Sequence, residues 1–229
     1  MAPGSLRPHH APGRAIAHGD DMPPGIRPAT LAEGFALAAE RFPAGAFVFL
    51  DAAGGSRGDT YVAVLARARR IVAGLRRNGV EPGDTLILYF SDCADFVPAL
   101  WAALLAGAVP VPLMRSDHSR DHAARIPRIF EHLRTVLASP KVLTDAPVGG
   151  HRHLTSITPG DVLALAELEV SNAEDEGPRA GPADGPRLLI LSSGTTATPN
   201  LVALSEQALI HRWWPTLPNA ELATTFLAW

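Results

Sequence analysis

Three features of the 229-residue sequence predict an α/β fold, a layered and mostly parallel sheet flanked by helices. Apolar runs of strand length alternate with longer segments whose apolar residues recur every three or four positions. One run, Thr85–Phe90, is apolar almost throughout, as a strand buried on both faces of a parallel sheet requires. Turn residues such as Asn78-Gly79, Pro82-Gly83 and Gly107 separate the segments. Together they imply β-α-β units joined by right-handed crossovers.

Residues 1–28 are rich in Arg, His, Gly and Pro and hold no apolar stretch, so they read as a disordered leader rather than a secretory signal. The remainder, 29–229, reads as one domain. Thr30-Leu31-Ala32-Glu33 forms a capping box that opens a helix with Leu31, Phe35, Ala38 and Ala39 on one face, ending near Phe42-Pro43. Ala46–Leu50 is a short strand closed by the turn-forming Gly54-Gly55. A second helix starts at Thr60, with Tyr61, Leu65, Ala68, Val72 and Leu75 at helical spacing. Arg67, Arg69, Arg70, Arg76 and Arg77 lie between them and read as a solvated polar face. Gly79 suits the left-handed position just past the helix end.

After Thr85–Phe90 comes a strongly apolar helix, Ala94–Ala106, carrying Phe96, Leu100, Trp101 and Leu104. The next strand, Ala108–Leu113, contains Pro110 and Pro112, which place it at an edge or at the mouth of a pocket. A helix over Asp121–Leu137, a brief strand at Lys141–Thr144 and a short helix near Asp161–Leu168 follow. Residues 171–186 are acidic and rich in Gly and Pro, an exposed loop. Leu188–Leu191 is an apolar strand, and no internal repeat is found.

Composition excludes several functions. With 47% hydrophobic and 19% charged residues the chain suits a soluble globular protein. Its net charge of -3 argues against nucleic acid as a partner, which would call for a basic face. No apolar run approaches the ~20 residues that cross a bilayer, so no membrane association is expected. Cys93 is the single cysteine, which rules out an intrachain disulfide and fits a reducing cytoplasm. Thiol catalysis at Cys93 lacks a placed histidine. His118 and His122, and His151 with His153, read as exposed residues rather than metal ligands, since no H-E-x-x-H pattern or second cysteine supports a site.

The segment Ser192-Ser193-Gly194-Thr195-Thr196-Ala197-Thr198-Pro199-Asn200 gathers hydroxyls around one glycine. Glycine lets backbone approach a ligand closely, successive amides form an anion-binding concavity, and hydroxyls add donors without negative charge. With a strand before it and a helix after it, over about Ser205–Trp213, such a turn is suited to phosphate. Composition alone leaves two readings open, a phosphate loop and a hydroxyl-rich surface loop. No Walker lysine, G-x-G-x-x-G or G-x-S-x-G is present, so an unrelated P-loop nucleotidase, dinucleotide binding and α/β-hydrolase chemistry lack their signatures.

Leu191–Asn200 resembles the phosphate loop of the adenylate-forming superfamily, which includes acyl-CoA synthetases, fatty acyl-AMP ligases and adenylation domains of nonribosomal peptide synthetases. That loop usually reads [ST]-S-G-[ST]-T-G-x-P-K-G. Asp59-Thr60-Tyr61 through Gly79-Val80-Glu81-Pro82-Gly83-Asp84 resembles the family's T-Y-x-E-L … G-V-x-P-G-D block, and Asp95–Pro112 resembles its next block. The Trp101 helix and the Val-Pro-Val-Pro ending most resemble loading adenylation domains of polyketide–peptide assembly lines. The resemblance implies the N-terminal, AMP-binding part of an enzyme that activates a small carboxylic acid with ATP and magnesium. The acyl group would pass from its adenylate to coenzyme A or to a carrier protein's phosphopantetheine. It also implies that Ser192, Ser193, Gly194, Thr195, Thr196 and Asn200 hold nucleotide phosphate.

The sequence departs from the family where Ala197 replaces the second loop glycine, Asn200 the lysine and Leu201 the glycine after it. Ser205-Glu206 stands where the family often has Thr-His. Asn200 donates without a charge, which implies a weaker grip on phosphate. The only lysine, Lys141, matches no catalytic position. Thr224–Trp229 reads as the strand leading to the next acyl-pocket motif. The expectation is therefore a fragment, lacking the adenine and ribose segments and the C-terminal lid domain and inactive alone unless its missing half is supplied. The alternative is a non-catalytic remnant or interaction module.

Overall fold

The computed structural model describes residues 28–50, 54–115, 120–145, 154, 161–169, 178–182, 184–192 and 199–213. Its centre is a four-stranded sheet of β3 (Thr85–Phe90), β4 (Val109–Met114), β5 (Lys141–Thr144) and β6 (Val162–Ala164). The strand order is β4-β3-β5-β6 and every pair is parallel. Two antiparallel hairpins accompany it, β1 (Ala46–Leu50) with β2 (Ser56–Thr60) and β7 (Leu188–Leu191) with β8 (Leu201–Leu204).

β3 alternates its side chains between two cores, which is what its unbroken apolar character predicts. Leu86, Leu88 and Phe90 face α1 (Leu31–Arg41), α2 (Tyr61–Arg77), α3 (Cys93–Leu105), α5 (Leu165–Leu168) and α6 (Glu206–Trp213). Ile87 and Tyr89 face the other way, with Val109, Val111 and Leu113 of β4, onto Ile126, Phe130 and Leu133 of α4 (Arg120–Val136). The result is three layers. Phe35 stacks on Trp101 in the first core at a centroid distance of 4.2 Å, and Tyr89 meets Phe130 edge-on at 5.3 Å in the second.

The caps of α1 and α2 fall where the sequence puts them, and α3 has one not expected from the sequence. Thr30 Oγ1 accepts the Glu33 amide, Thr60 Oγ1 accepts the Ala63 amide, and Asp92 caps α3 through the Ala94 amide. Glu33 reaches back to the Ala29 amide, one residue before the cap. Gly79 has φ +68°, as its place beyond α2 requires.

The prolines of β4 explain its place. Val109 N–H bonds Asp84 O and Arg115 N–H bonds Phe90 O, both toward β3. By alternation the nitrogens of Pro110 and Pro112 face the opposite edge, where they cost no ladder bond to β3. β7 lies along that edge yet forms no ladder with β4.

One element differs from expectation, and two strands lie where no element is expected from the sequence. The polar Ser56-Arg57-Gly58-Asp59-Thr60 is β2, a strand through its register with β1. The helix expected over Asp161–Leu168 is β6 followed by the single turn α5, because the ladder with β5 takes Val162–Ala164 first. Leu201–Leu204, between the loop and the helix expected over about Ser205–Trp213, is β8, which pairs with β7 along its full length. The arginines of α2 are also less uniform than expected. Arg67 is half-buried and joins Asp95 at 2.6 Å, Glu169 at 2.5 Å and Ala94 O, tying α2 to α3 and α5.

Among the described residues no helix is long and apolar enough to cross a membrane. Residues 1–27 of the leader, His118, the His122 side chain, His151, His153 and Thr224–Trp229 lie outside the described residues, and Pro28, the leader's last residue, is buried beside Gly34.

Candidate phosphate-binding hairpin

The carboxyl ends of parallel strands, where the chain's direction of winding reverses, are where open α/β sheets receive ligands. Here the reversal falls between β3 and β5, since β4 lies on one side of β3 and β5 and β6 on the other. That place is filled from within. Asp145, just after β5, accepts the Ser91 amide and the Ser91 hydroxyl at 2.8 Å on Oδ2, with the Asp92 amide at 3.3 Å. Its Oδ1 accepts Arg115 Nη1 at 3.0 Å, and Arg115 Nη2 donates to Ser91 Oγ. The amides of Ser91 and Asp92 just ahead of α3, which could have faced a phosphate, thus hold an internal carboxylate, and the Ala94 amide is capped by Asp92.

The β7–β8 hairpin approaches the same end. Arg187, which precedes β7, reaches the Leu104 carbonyl and packs beside Gly181 and the turn at Gly107, all near the start of β4. β7 therefore begins beside the start of β4 and runs along it, which carries Ser192 toward the carboxyl end of the layer. Ser192 and Asn200 close a neck there. Ser192 N–H donates to Asn200 O at 2.8 Å, and Asn200 N–H donates to Ser192 Oγ at 3.2 Å. The bonds continue the β7–β8 register one step past Leu191 and Leu201. Ser192 Oγ acts here as an acceptor, and its own proton has no acceptor among the described residues.

Of the six residues predicted to hold phosphate, Ser192 and Asn200 are thus brought together as the neck. Ser193, Gly194, Thr195 and Thr196 lie outside the described residues, as do Ala197 and Thr198. One part of the expected geometry is corrected. The helix after the loop does not point its N-terminus at the loop, because the four residues of β8 carry the chain back about 13 Å to the other end of the hairpin before α6 starts.

That other end holds a buried charge. The Arg187 side chain is 5% exposed, with Nε 3.3 Å from Glu206 Oε2 and Nη2 donating to Leu104 O. Glu206 Oε1 accepts the Leu31 amide at 2.6 Å. Burial pulls the Arg187 guanidinium below the usual arginine range, and Glu206 opposes that pull. Arg187 N–H also closes the hairpin on Leu204 O at 2.7 Å. Sequence reading passed over Arg187, Asp145 and Arg115. A lone arginine abutting an apolar strand, paired with an unusual Glu206, was the available signal.

A family model described as AMP-binding enzyme matches residues 35–225. Triostin synthetase I of Streptomyces triostinicus is 31% identical over 154 residues, which is 62% of this chain and 28% of that protein. The salicyl-AMP ligase / salicyl-S-ArCP synthetase of Mycobacterium tuberculosis is 31% identical over 160 residues, 65% of this chain and 28% of its own length. Among solved structures, McyG A-PCP complexed with phenylalanyl-adenylate shares the fold, with a TM-score of 0.68 at 22% identity, covering 82% of this chain and 30% of that one.

Proposed function

The chain belongs to the AMP-binding enzyme family, and on that premise we propose that it carries the phosphate-holding part of an ATP-dependent carboxylic acid ligase. A carboxylate oxygen attacks the α-phosphorus of ATP, the bond from that phosphorus to the bridging oxygen breaks, and pyrophosphate leaves with its electron pair. The acyl group of the resulting adenylate then passes to a thiol and AMP departs. The acceptor thiol is coenzyme A or a carrier protein's phosphopantetheine, and the salicyl-S-ArCP synthetase named above supports the carrier as one of the two.

The observation that carries this reading is the pinched neck of Ser192 and Asn200 at the carboxyl end of the layer. It closes a turn whose donors are the hydroxyls of Ser192, Ser193, Thr195, Thr196 and Thr198 and the amides around Gly194. These groups hold the β- and γ-phosphates, where stabilising the charge on the departing pyrophosphate favours reaction. The alternative anion position at the start of α3 is already filled by Asp145. Ser192–Asn200 includes no carboxylate, so it takes phosphate oxygens and leaves the magnesium that accompanies ATP to other residues. Asn200, with an amide in place of a cation, holds phosphate less strongly than a lysine would. A cytoplasmic location fits the single cysteine.

The test is acid-dependent exchange of labelled pyrophosphate into ATP, using aryl, keto, fatty and amino acids. It is run on this chain alone and together with the adenine-binding and lid segments of a relative. Exchange in the supplemented reaction supports the ligase reading. Absence of exchange there, together with no ATP-dependent shift of the Ser192 and Asn200 amide resonances, overturns it.

A further inference from the structure

We infer that Arg187 and Glu206 are positioning residues that set the orientation of the β7–β8 hairpin on the body of the protein. The inference rests on the reading of that hairpin as the phosphate-binding element. Among the described residues the hairpin forms no ladder with β4, whose Pro110 and Pro112 lack the N–H groups that would be donated along the edge β7 follows. Its apolar anchors are soft in direction. Leu188 and Leu204 pack into one core, and Leu189, Leu191 and Leu201 into the other. Such packing resists separation of the layers more than it resists sliding or tilting, since burial is non-directional.

Arg187 supplies direction. Among the described residues its side chain makes the hairpin's polar contacts with the body, to the Leu104 carbonyl at the end of α3 and to Glu206. Glu206 in turn holds the Leu31 amide at the start of α1. The base of the hairpin is thereby referenced to two helices, while the neck at Ser192 and Asn200 closes the opposite end. A rigid ladder of four residue pairs connects the two ends. A tilt at the base is carried to the turn through that ladder. A buried ion pair of this kind adds little net stability, because desolvation offsets the attraction, and fixing one geometry is its best-attested use.

The experiment compares the wild-type chain with the Arg187→Met/Glu206→Gln double variant and with Glu206→Gln alone. Glutamine keeps an oxygen for the Leu31 amide while removing the charge. Two quantities are read: hydrogen exchange of the β7 and β8 amides, and affinity for inorganic tripolyphosphate followed at the Ser192 and Asn200 amide resonances. The double variant is expected to exchange about tenfold faster in β7 and β8 and to bind tripolyphosphate about fivefold more weakly, with a thermal midpoint close to wild type. Glu206→Gln shifts both quantities in the same direction by less, and it stands in if the double variant does not fold. Unchanged exchange in the folded variants overturns the inference, as does faster exchange confined to residues outside the hairpin. If the wild-type chain ignores tripolyphosphate while its variants still exchange faster in β7 and β8, the positioning role stands and the phosphate reading falls.

Discussion

Arg115 and Asp145 meet at 3.0 Å across the end of β3, with side chains only 13% and 9% exposed. The arginine also lies over the Tyr89 ring, its guanidinium carbon 5.8 Å from the ring centre. The two residues are not equal partners. Asp145 gathers the Ser91 amide, the Ser91 hydroxyl and the Asp92 amide as well as Arg115. Removing it leaves a shielded cation and several donors without their acceptor, whereas removing Arg115 leaves Asp145 well hydrogen-bonded.

Asp145→Ala is therefore expected to cost about 3 kcal/mol of unfolding free energy, and Arg115→Met about half of that. Urea denaturation of both variants measures the difference. An equal or reversed order would show that the carboxylate is not the centre of this cluster.

Gly74 in α2 faces Leu168 of α5 so closely that an added Cβ would stand 2.8 Å from the Leu168 Cα and 2.8 Å from its carbonyl oxygen. Alanine favours the helix by about 1 kcal/mol over glycine, but backbone atoms cannot swing aside as a flexible side chain does. Displacing α5 also pulls Glu169 from Arg67. Gly74→Ala is expected to lower stability by about 1–2 kcal/mol net, read from the urea midpoint. A rise in the midpoint would mean that α5 yields freely.

The parts of the fold that the sequence discloses are those whose signal is local. β3 and α3 are apolar runs of the right length, and α1, α2 and their caps follow from residues three or four apart. β2 and β8 became visible only through their partners, since Ser56–Thr60 carries no apolar alternation and Leu201–Leu204 follows a proline and an asparagine. The site divides in the same way. The Ser192–Asn200 segment is contiguous, so its candidate residues can be singled out from sequence alone. The groups that hold the hairpin's base come from far along the chain: Arg187 with Leu104 at a separation of 83 residues and Glu206 with Leu31 at 175.

Ser192 has two tasks that substitution can separate. Its Oγ accepts the Asn200 amide and so shapes the neck, while its proton meets no acceptor among the described residues. Ser192→Ala is expected to quicken exchange of the Asn200 amide about fivefold, the equivalent of about 1 kcal/mol, and to weaken tripolyphosphate binding. Ser192→Thr keeps the hydroxyl and should behave as wild type in both respects. If the threonine variant fails as badly as the alanine one, the hydroxyl is not the group that matters.

Asn200 offers the most direct handle on the nucleotide. It contributes to the neck through its backbone, N–H to Ser192 Oγ and C=O to the Ser192 amide, and the residue itself is exposed. A change of side chain therefore leaves the hairpin closed. Asn200→Lys would exchange a neutral donor for a charged one, a difference of about 1 kcal/mol per phosphate contact, or about fivefold in affinity for tripolyphosphate. The gain should shrink as salt rises from low to physiological concentration, because the added term is a screened charge. The thermal midpoint should stay put. A lysine variant that binds no more tightly at low salt would place the phosphates elsewhere than at the neck of this hairpin.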